Sequence, residues 1–571
     1  MNVQKIIQIM NPRETVEIYL PDGRTYEGMR NTPIWEFMKA LPEWEQIPIV
    51  GAVIDGELRE LTYPVKKDSY VKPVNISDSD GSKIYRRSLI FLLQASFEDV
   101  FPEMELTVDY SVPSGGYFCR VRDLESLSTE QVKQVEARMR NLVQKDLPIK
   151  REVVSLDEAR TYFKTKRYDD KLQLLKYRNK PDLVLYQLEQ HRDYHHGYMV
   201  PSTGFIKVFE LVPVEEGFIL QYPRRNTPTK LLPMPQYTKL RGIFHQYGDW
   251  LSNLGIGSVG TLNDAILDRG IHEIILVSEA LHEQKISEIA TQIANSKPEK
   301  KLVLISGPSS SGKTTFSKRL AIQLLTHGIK PFALEMDNYF VDRDKTPKDT
   351  NGNLNFEAFE AINRNALEKD LLTLMKGIPV QLPKFNFHDG ISEPGETVIL
   401  TGEQVIIMEG IHGLNPALLP QFPPQSIFRI YISCLTQLNL DRFNRISTTD
   451  TRMLRRVVRD SWARSFSAQR TISMWESVRR GEREYIFPYQ ENADAIFNSA
   501  LVYELAALYP YAEPLLRQIP FGTEEYREAK RLLAFLNWFI PIDQELIPDN
   551  SILREFIGGS VLADFKIWNH S

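Results

Sequence analysis

A glycine-rich segment carries the residues best suited to phosphate chemistry. It consists of Gly307, Pro308, Ser309, Ser310, Ser311, Gly312, Lys313, Thr314 and Thr315. Glycine reaches the backbone conformations that turn successive amides towards one anion, and a following helix adds the positive end of its dipole. At this spacing Lys313 can bridge the β- and γ-phosphates and the Thr314 hydroxyl can hold Mg²⁺. The segment therefore predicts a phosphate-binding loop with ATP and Mg²⁺ as its ligands.

Two carboxylates follow strand-like apolar runs elsewhere in the chain. Asp337 comes directly after residues 331–336, and Glu409 directly after residues 405–408. Strands that alternate with helices form a mostly parallel sheet whose ligands bind at the carboxyl ends of the strands. We expect Glu409 to coordinate Mg²⁺ and Asp337 to accept a proton from an attacking hydroxyl. Each carboxylate taken alone could instead cap a helix, but together with the loop they favour chemistry.

An arginine-rich stretch between residues 440 and 483 contains a second charge pattern. Arg452, Arg455, Arg456 and Arg459 are spaced so that they share one face of a helix. The pattern is typical either of a solvated basic face or of a mobile lid that closes on a triphosphate.

Composition narrows the class of protein. The chain has 571 residues, a formal net charge of -5 and two cysteines, Cys119 and Cys434. These features argue against a nucleic-acid-coating protein, a disulfide framework and a zinc motif of paired cysteines. No run of eighteen apolar residues and no cleavable leader pattern is visible. We expect a soluble cytoplasmic protein with several domains and no membrane segment, and nothing in the sequence defines its oligomeric state.

The order of predicted elements divides the chain into five segments. Strands at 16–20, 25 onward and 47–54 surround a helix at 33–41, which is a β-grasp-like plan. An α/β kinase-like domain with a mostly parallel sheet contains the loop. The predicted segments are a β-grasp domain at 1–75, an α+β domain at 76–230, a connector at 231–296, the α/β domain at 297–510 and a helical cap without chemistry at 511–571.

The first two segments resemble the front of threonyl-tRNA synthetases. The turn at 20–23 and the residues 53–58 are similar to the TGS domain, and 87–93, 115–118 and 200–204 to the second domain. Acidic residues outnumber basic ones in the first segment, so a docking or structural role is favoured over RNA contact.

In those synthetases the second domain carries an editing and metal-binding set of histidines and a cysteine. The matching positions here are Arg87, Phe91, His195 and Met199, so we expect neither a zinc site nor an editing centre of that kind. A cluster of His191, His195 and His196 leaves a rebuilt metal site as the less favoured alternative.

Residues 298–508 resemble the uridine kinase and phosphoribulokinase family. The resemblance lies in the loop and in segments 337–340, 355–357, 383–387, 409–411, 455–460 and 493–496. It implies that Asp337 is the base on a ribose 5′-hydroxyl and that Glu357 binds the ribose hydroxyls. It further implies an aromatic enclosure and a lid with substrate contacts, formed by Phe340, Phe356, Phe385, Phe387, Arg456, Arg459 and Arg464. Lys313, Asp337 and Arg459 are then the catalytic residues.

Two departures from the family pattern leave the substrate open. The histidine and arginine that read the pyrimidine in the family correspond to Gly390 and Ser392, and the segment 356–360 is shortened. We expect a nucleoside kinase whose base is undefined. One rival is a sugar-phosphate kinase, for which Lys384 is the evident extra cation. Another is an ATP-switched RNA- or tRNA-related regulator, which would need no base such as Asp337.

Overall fold

The computed structural model describes residues 13–565 apart from positions 123, 125, 236, 269, 297–300, 350, 351, 353, 387 and 401–403. The chain divides into two compact units. Unit 1 contains Met1–Pro235, Asn439–Arg445 and Pro520–Arg531, and unit 2 contains Gln236–Leu438, Ile446–Ile519 and Leu532–Ser571. The sequence placed 439–445 in the kinase-like domain and 520–531 in the helical cap, whereas the structure groups both with unit 1. The predicted domain limits at 1, 297 and 571 lie outside the described residues.

Unit 1 begins with the predicted β-grasp arrangement. Its elements are β1 (Thr15–Tyr19), β2 (Thr25–Met29), α1 (Ile34–Lys39), β3 (Ile49–Ile54), β4 (Glu57–Arg59) and β5 (Ser69–Asn75). The sheet order is β2-β1-β5-β3-β4, with β1 and β5 parallel. Alternating residues of β1 are buried, since Val16 and Ile18 pack with Phe37 of α1 in one apolar core.

The rest of unit 1 combines long helices with two antiparallel sheets. Its elements are α2 (Ser79–Val100), β6 (Leu106–Val112), β7 (Gly116–Val121), α3 (Thr129–Lys145), β8 (Lys150–Ser155), α4 (Leu156–Thr165), α5 (Asp169–Leu175), β9 (Asp182–Leu188), β10 (His191–Asp193), β11 (Glu210–Val214) and β12 (Gly217–Gln221). The sheet orders are β11-β12-β7-β6 and β10-β9-β8. This is the expected α+β architecture.

A buried charge cluster holds the segment Asn439–Arg445 in unit 1. The Lys171 ammonium lies 2.9 Å from Asp193 and 3.0 Å from Asp441, and all three side chains are fully buried. The Tyr194 hydroxyl donates to Asp441 at 2.6 Å. Because a buried charge without a partner is strongly destabilising, this cluster anchors the segment.

Unit 2 opens with three helices in the predicted connector. They are α6 (Thr238–Asn253), α7 (Val259–Leu267) and α8 (Ile271–Asn295). Helix α8 contains the amphipathic stretch predicted at 279–296 as far as Asn295, and its Glu279 and Glu283 face the buried Arg319. The helices of the connector therefore pack within unit 2.

The remainder of unit 2 is built on a parallel sheet. Its elements are β13 (Leu302–Ser306), α9 (Lys313–Thr326), β14 (Lys330–Glu335), α10 (Arg364–Met375), β15 (Val380–Asn386), β16 (Ile391–Val398), β17 (Gln404–Glu409), β18 (Ile427–Ser433), α11 (Thr448–Ala463), α12 (Ala468–Tyr485), β19 (Ala495–Asn498), α13 (Glu504–Arg517) and, after α14 (Glu524–Leu536), whose residues up to Arg531 are grouped with unit 1, α15 (Arg554–Ile557). The five-stranded order is β14-β17-β13-β18-β19, all parallel, and β15 and β16 form a separate hairpin.

The register of this sheet brings three strand ends together. Glu409 at the end of β17 lies beside Ile305 of β13 and Glu335 of β14. All five residues of β13 are buried, as expected for a strand covered on both faces. The predicted convergence of the loop, Asp337 and Glu409 is therefore a consequence of strand order. Among the described residues, no helix combines the length and the apolar character needed to cross a membrane.

Candidate active site

The glycine-rich loop between β13 and α9 has the backbone geometry of an anion-binding turn. Ser310 and Gly312 have positive φ angles of 58° and 88°. A Cβ on Gly307 would lie 2.0 Å from the Ile432 carbonyl oxygen, so only glycine fits there. Helix α9 begins at Lys313, and its first amides have no carbonyl partner inside the helix.

Three polar side chains come together where this loop joins α9, namely those of Lys313, Thr314 and Glu409. The Lys313 ammonium donates to the Gly307 and Pro308 carbonyl oxygens at 3.0 and 3.2 Å. The Thr314 hydroxyl donates to Glu409 at 3.1 Å. Burial raises the pKa of Glu409 to about 7, and the Lys313 charge opposes this rise. The hydroxyl and carboxylate oxygens together are the ligand type that Mg²⁺ prefers.

Asp337 lies in the short turn Met336–Tyr339 that follows β14. The residue is exposed to solvent. The protein around it removes part of its hydration and raises its pKa, while the Lys313 ammonium lowers it. The attraction is mutual, because the Asp337 carboxylate in turn raises the pKa of Lys313. Asp337 is thus a carboxylate within the electrostatic reach of the loop lysine.

Three of the four predicted aromatic side chains form one cluster near Asp337. The ring of Phe340 lies edge-on to Phe356 at 6.3 Å and to Phe385 at 5.7 Å between centroids. Phe356 is 40% exposed, so this wall has an open side. Phe387 lies outside the described residues.

Glu357 follows the aromatic Phe356 and lies within the electrostatic reach of Lys313 in the loop, Arg456 in α11 and Glu482 in α12. Burial raises the pKa of Glu357 to about 7, and the charge on Glu482 adds to the rise while Arg456 and Lys313 oppose it. Its side chain packs over Gly481 of α12, where a Cβ would lie 2.7 Å from that of Glu357. Glu357 therefore lies close to both helix α12 and the charges of the loop.

The three lid arginines predicted at the substrate side share one buried carboxylate. Asp460 is fully buried and lies 3.2 Å from Arg456, 3.0 Å from Arg459 and 3.5 Å from Arg464. Arg456 also donates to the Ser309 hydroxyl of the loop at 2.8 Å. Three guanidinium groups around one carboxylate leave an excess of positive charge next to the loop.

The other two arginines of the predicted helical face have a different role. Arg452 is buried and pairs with the buried Glu482 of α12, and the fully buried Arg455 pairs with Glu504. Glu482 also accepts a hydrogen bond from the Ser309 amide at 3.1 Å. This side of α11 is therefore neither solvated nor open to phosphate. Sequence reasoning missed Glu482 and Glu504, for which the spacing along α11 gives no signal. It gave Asp460 no role, although Asp460 lies four residues from both Arg456 and Arg464.

One further acidic residue reaches the loop from the predicted helical cap. The carboxylate of Glu555 in α15 accepts a hydrogen bond from the Thr315 amide in the first turn of α9 at 3.1 Å. Its charge also raises the pKa of Lys313, whereas burial lowers that pKa. The sequence predicted no chemistry for this region, and no local motif around Glu555 could have indicated the contact.

The positions that correspond to the family's base readers lie at the hairpin of β15 and β16. A Cβ on Gly390 would come within 2.5 Å of Nε of Arg343, so the Arg343 side chain fills the space beside it. Arg343 also donates to the His388 carbonyl oxygen at 3.2 Å. The Ser392 amide donates to Asp342 at 3.0 Å. An arginine is therefore present at this place, although it comes from another segment.

In unit 1 the predicted histidine cluster lies in and directly after strand β10. His191 lies in strand β10, where it contacts Glu98 at 3.0 Å and Asp99 at 2.8 Å. Burial disfavours its charged form, but these carboxylates outweigh burial and raise the His191 pKa. His195 packs edge-on against Phe91 at 5.6 Å, and burial holds its pKa well below the usual value. No group of three or more histidine, cysteine or acidic side chains suited to a metal occurs among the described residues.

The fold and the site together define the class of the C-terminal part: a P-loop kinase domain. Comparison with known families agrees, because residues 302–506 match the family model of the Phosphoribulokinase / Uridine kinase family. The predicted resemblance is thus confirmed over this part of the chain.

The N-terminal part is similar to threonine–tRNA ligases, as the sequence predicted. The ligase of Paraburkholderia phymatum is 32% identical over 204 residues, which are 36% of this chain and 32% of that protein. The ligase of Halorhodospira halophila is 34% identical over 171 residues, 30% of this chain and 26% of that protein. The chain spans about a third of the length of the curated relatives it matches.

Two kinases are among the solved structures with which the chain was matched, both at TM-scores below 0.5. A possible uridine kinase from Bacillus stearothermophilus has a TM-score of 0.24 and 23% identity, covering 38% of this chain and 98% of that chain. D-glycerate 3-kinase from Cryptococcus neoformans has a TM-score of 0.19 and 15% identity, covering 50% of this chain and 87% of that chain.

Proposed function

We propose that this chain is an ATP-dependent nucleoside kinase that transfers the γ-phosphate of ATP to the 5′-hydroxyl of a nucleoside. The observation that supports this most strongly is the meeting of the loop lysine, Asp337 and Glu409 at the ends of three neighbouring parallel strands. Phosphoryl transfer to an alcohol needs a phosphate grip, a metal ligand and a proton acceptor in one place, and this arrangement supplies all three.

The residues present suit Mg²⁺ and the triphosphate. Thr314 and Glu409 would hold the ion, as their oxygens already lie 3.1 Å apart, and the ion would neutralise charge on the phosphates. The amides of the loop and Lys313 would bind the phosphates. The excess positive charge of Arg456, Arg459 and Arg464 around Asp460 supports their role on the transferring group.

On the substrate side, the chain's own residues would orient an alcohol and remove its proton. The cluster of Phe340, Phe356 and Phe385 gives an apolar wall for a base or sugar. Glu357 would accept hydrogen bonds from sugar hydroxyls. Asp337 would accept the proton of the attacking hydroxyl, since it directly follows β14 at the sheet edge that carries the loop and its charge interacts with Lys313.

The test is ADP release by the full chain with a panel of ribonucleosides, deoxyribonucleosides and sugar phosphates. A 5′-phosphorylated nucleoside, identified by mass spectrometry and NMR, is the expected product. Lys313→Ala should abolish turnover and keep the fold, because the lost charge lies at the transferring phosphoryl group. Near-normal kcat in Lys313→Ala would contradict the kinase assignment, and turnover of sugar phosphates alone would contradict the substrate class.

For unit 1 we infer a structural or docking module without editing chemistry. Arg87 occupies a position that matches a metal-binding residue of the ligases, and it donates to the Tyr198 carbonyl oxygen. Phe91 at the next position packs against His195. Side chains that cannot bind zinc therefore occupy two positions of the ligase set, which supports loss of that site.

A further inference from the structure

The segment 551–557 lies directly on the glycine-rich loop of unit 2. Ile552 and Phe556 are fully buried. A Cβ on Gly312 would lie 2.8 Å from Cγ2 of Ile552, so the isoleucine packs against the glycine that caps the N-terminus of α9. Glu555 accepts the Thr315 amide hydrogen at 3.1 Å. The segment thus covers both the loop and the start of α9.

The same segment is also held by helix α11. The Arg455 guanidinium lies 4.9 Å from the centroid of the Phe556 ring. The indole Nε1 of Trp462 donates to the Phe556 carbonyl oxygen at 2.6 Å. On the other side, Lys318 of α9 donates to the Leu562 carbonyl oxygen at 2.6 Å. The segment is therefore held by α11 at Phe556, and the chain that follows it is held by α9 at Leu562.

The contact of Glu555 has the chemistry of a bound anion. The first amides of a helix lack intrahelical acceptors and attract anions, and in this loop the anion they suit is a phosphate. A carboxylate at one of these amides supplies negative charge near Lys313 at the place where phosphate oxygens would bind. Two anions cannot share one amide without strong repulsion.

We propose that segment 551–557 is an internal ligand of the nucleotide site and that ATP binds only after Glu555 leaves the Thr315 amide. This inference rests on the proposed function, since it takes ATP as the nucleotide. The apparent affinity for ATP is then the intrinsic affinity reduced by the fraction of molecules in which the segment has moved away. Weakening the segment's hold raises that fraction and tightens ATP binding.

The first test measures binding of MgATP to the full chain by calorimetry without any nucleoside. Glu555→Ala removes a charge-assisted hydrogen bond and should tighten ATP binding about tenfold to a hundredfold. Glu555→Gln keeps an acceptor without the charge and should give an intermediate affinity. The matched control is Glu545→Ala, an exposed glutamate outside the segment, which should bind as the wild type does. Equal affinities in all four proteins would overturn the proposal.

The second test uses the wild-type chain, so it does not depend on the folding of a variant. The amides of Phe556 and Gly558 donate to the carbonyl oxygens of Leu553 and Arg554. Hydrogen exchange at these amides should accelerate when ATP saturates the site, because the segment is displaced. Unchanged exchange at saturating ATP would overturn the proposal.

The outcomes separate this inference from the proposed function. Tighter ATP binding by Glu555→Ala without turnover of any nucleoside would support the internal ligand and contradict the nucleoside kinase. Turnover of a nucleoside with identical ATP affinities in wild type and Glu555→Ala would support the nucleoside kinase and contradict the internal ligand. Failure of ATP to bind any of these proteins would overturn both.

Discussion

Replacement of Glu482 by glutamine should destabilise unit 2 and loosen its glycine-rich loop. Glu482 accepts two hydrogen bonds from Arg452, one of them at 2.8 Å, and both side chains are only 1% exposed. It also lies 3.1 Å from Arg479 and accepts the Ser309 amide hydrogen at 3.1 Å. The Glu482→Gln variant keeps the shape but leaves two cations without their buried counter-charge.

The size of the effect follows from this burial. Removing one partner of a buried ion pair costs about 3–5 kcal/mol, whereas an exposed pair contributes up to about 1 kcal/mol. The matched control is Glu476→Gln on the same helix, where the carboxylate is 56% exposed and lies 3.3 Å from Arg483. We expect a loss of about 3–5 kcal/mol for Glu482→Gln and less than about 1 kcal/mol for the control.

Hydrogen exchange of the α11 amides gives the local free energy of unfolding for each variant. The double variant Arg452→Met/Glu482→Gln should lose less than the sum of the two single variants, because both charges of the pair are gone. A loss below about 1 kcal/mol for Glu482→Gln, or strictly additive losses, would refute the reasoning.

Acid provides an independent check on the same ion pair. Burial opposes ionisation of Glu482, but Arg452 and Arg479 outweigh it and hold the Glu482 pKa below its ordinary value of 4.5. The contribution of a carboxylate with a lowered pKa is complete above the unfolded-state pKa and disappears as the pH falls through the folded-state pKa. The stability difference between wild type and Glu482→Gln should therefore shrink on acidification below about pH 4.5. A difference that stays constant would exclude this ion pair as its source.

Three further predictions concern the chemistry. Asp337→Asn should lower kcat about 10² to 10⁴-fold with nearly unchanged ATP binding, while the defect of Glu409→Gln should be partly recovered at high Mg²⁺. A Mg²⁺ titration of both variants tests this, and rescue of Asp337→Asn alone would show that the two roles are exchanged. Because the Glu409 pKa lies at about 7, Mg²⁺ affinity measured by calorimetry should fall about tenfold per pH unit below pH 7 and level off above it, and a flat profile would exclude Glu409 as a ligand. The full chain should contain no stoichiometric zinc by metal analysis and should not hydrolyse mischarged threonine-tRNA. Either finding would mean that His191, His195 and His196 form a rebuilt site.

Local patterns in the sequence predicted the framework of the kinase site. The glycine-rich segment dictates a tight turn before a helix, and Asp337 and Glu409 follow apolar strands. Alternation of strands and helices makes the sheet parallel, and parallel order brings strand ends to one edge. The grouping of the loop, Asp337 and Glu409 depends only on the order of elements along the chain, so it could be predicted without the structure.

Helical spacing predicted which arginines share a face of α11, but not what lies against that face. Arg452 pairs with a glutamate 30 residues away, and Arg455 with one 49 residues away. Whether a charge is solvated, bound to phosphate or buried in an ion pair depends on packing between helices. Periodicity along one helix contains no information about that packing.

The sequence alone determined the loop, the strand-end carboxylates, the aromatic residues near them and the two resemblances. Only the tertiary structure decided that Glu555 reaches an amide 240 residues away and that Asp441 pairs with a lysine 270 residues away. A local motif works because neighbouring residues are joined by the backbone. A carboxylate brought in from a distant segment acts through burial and distance, and these arise only when the chain has packed.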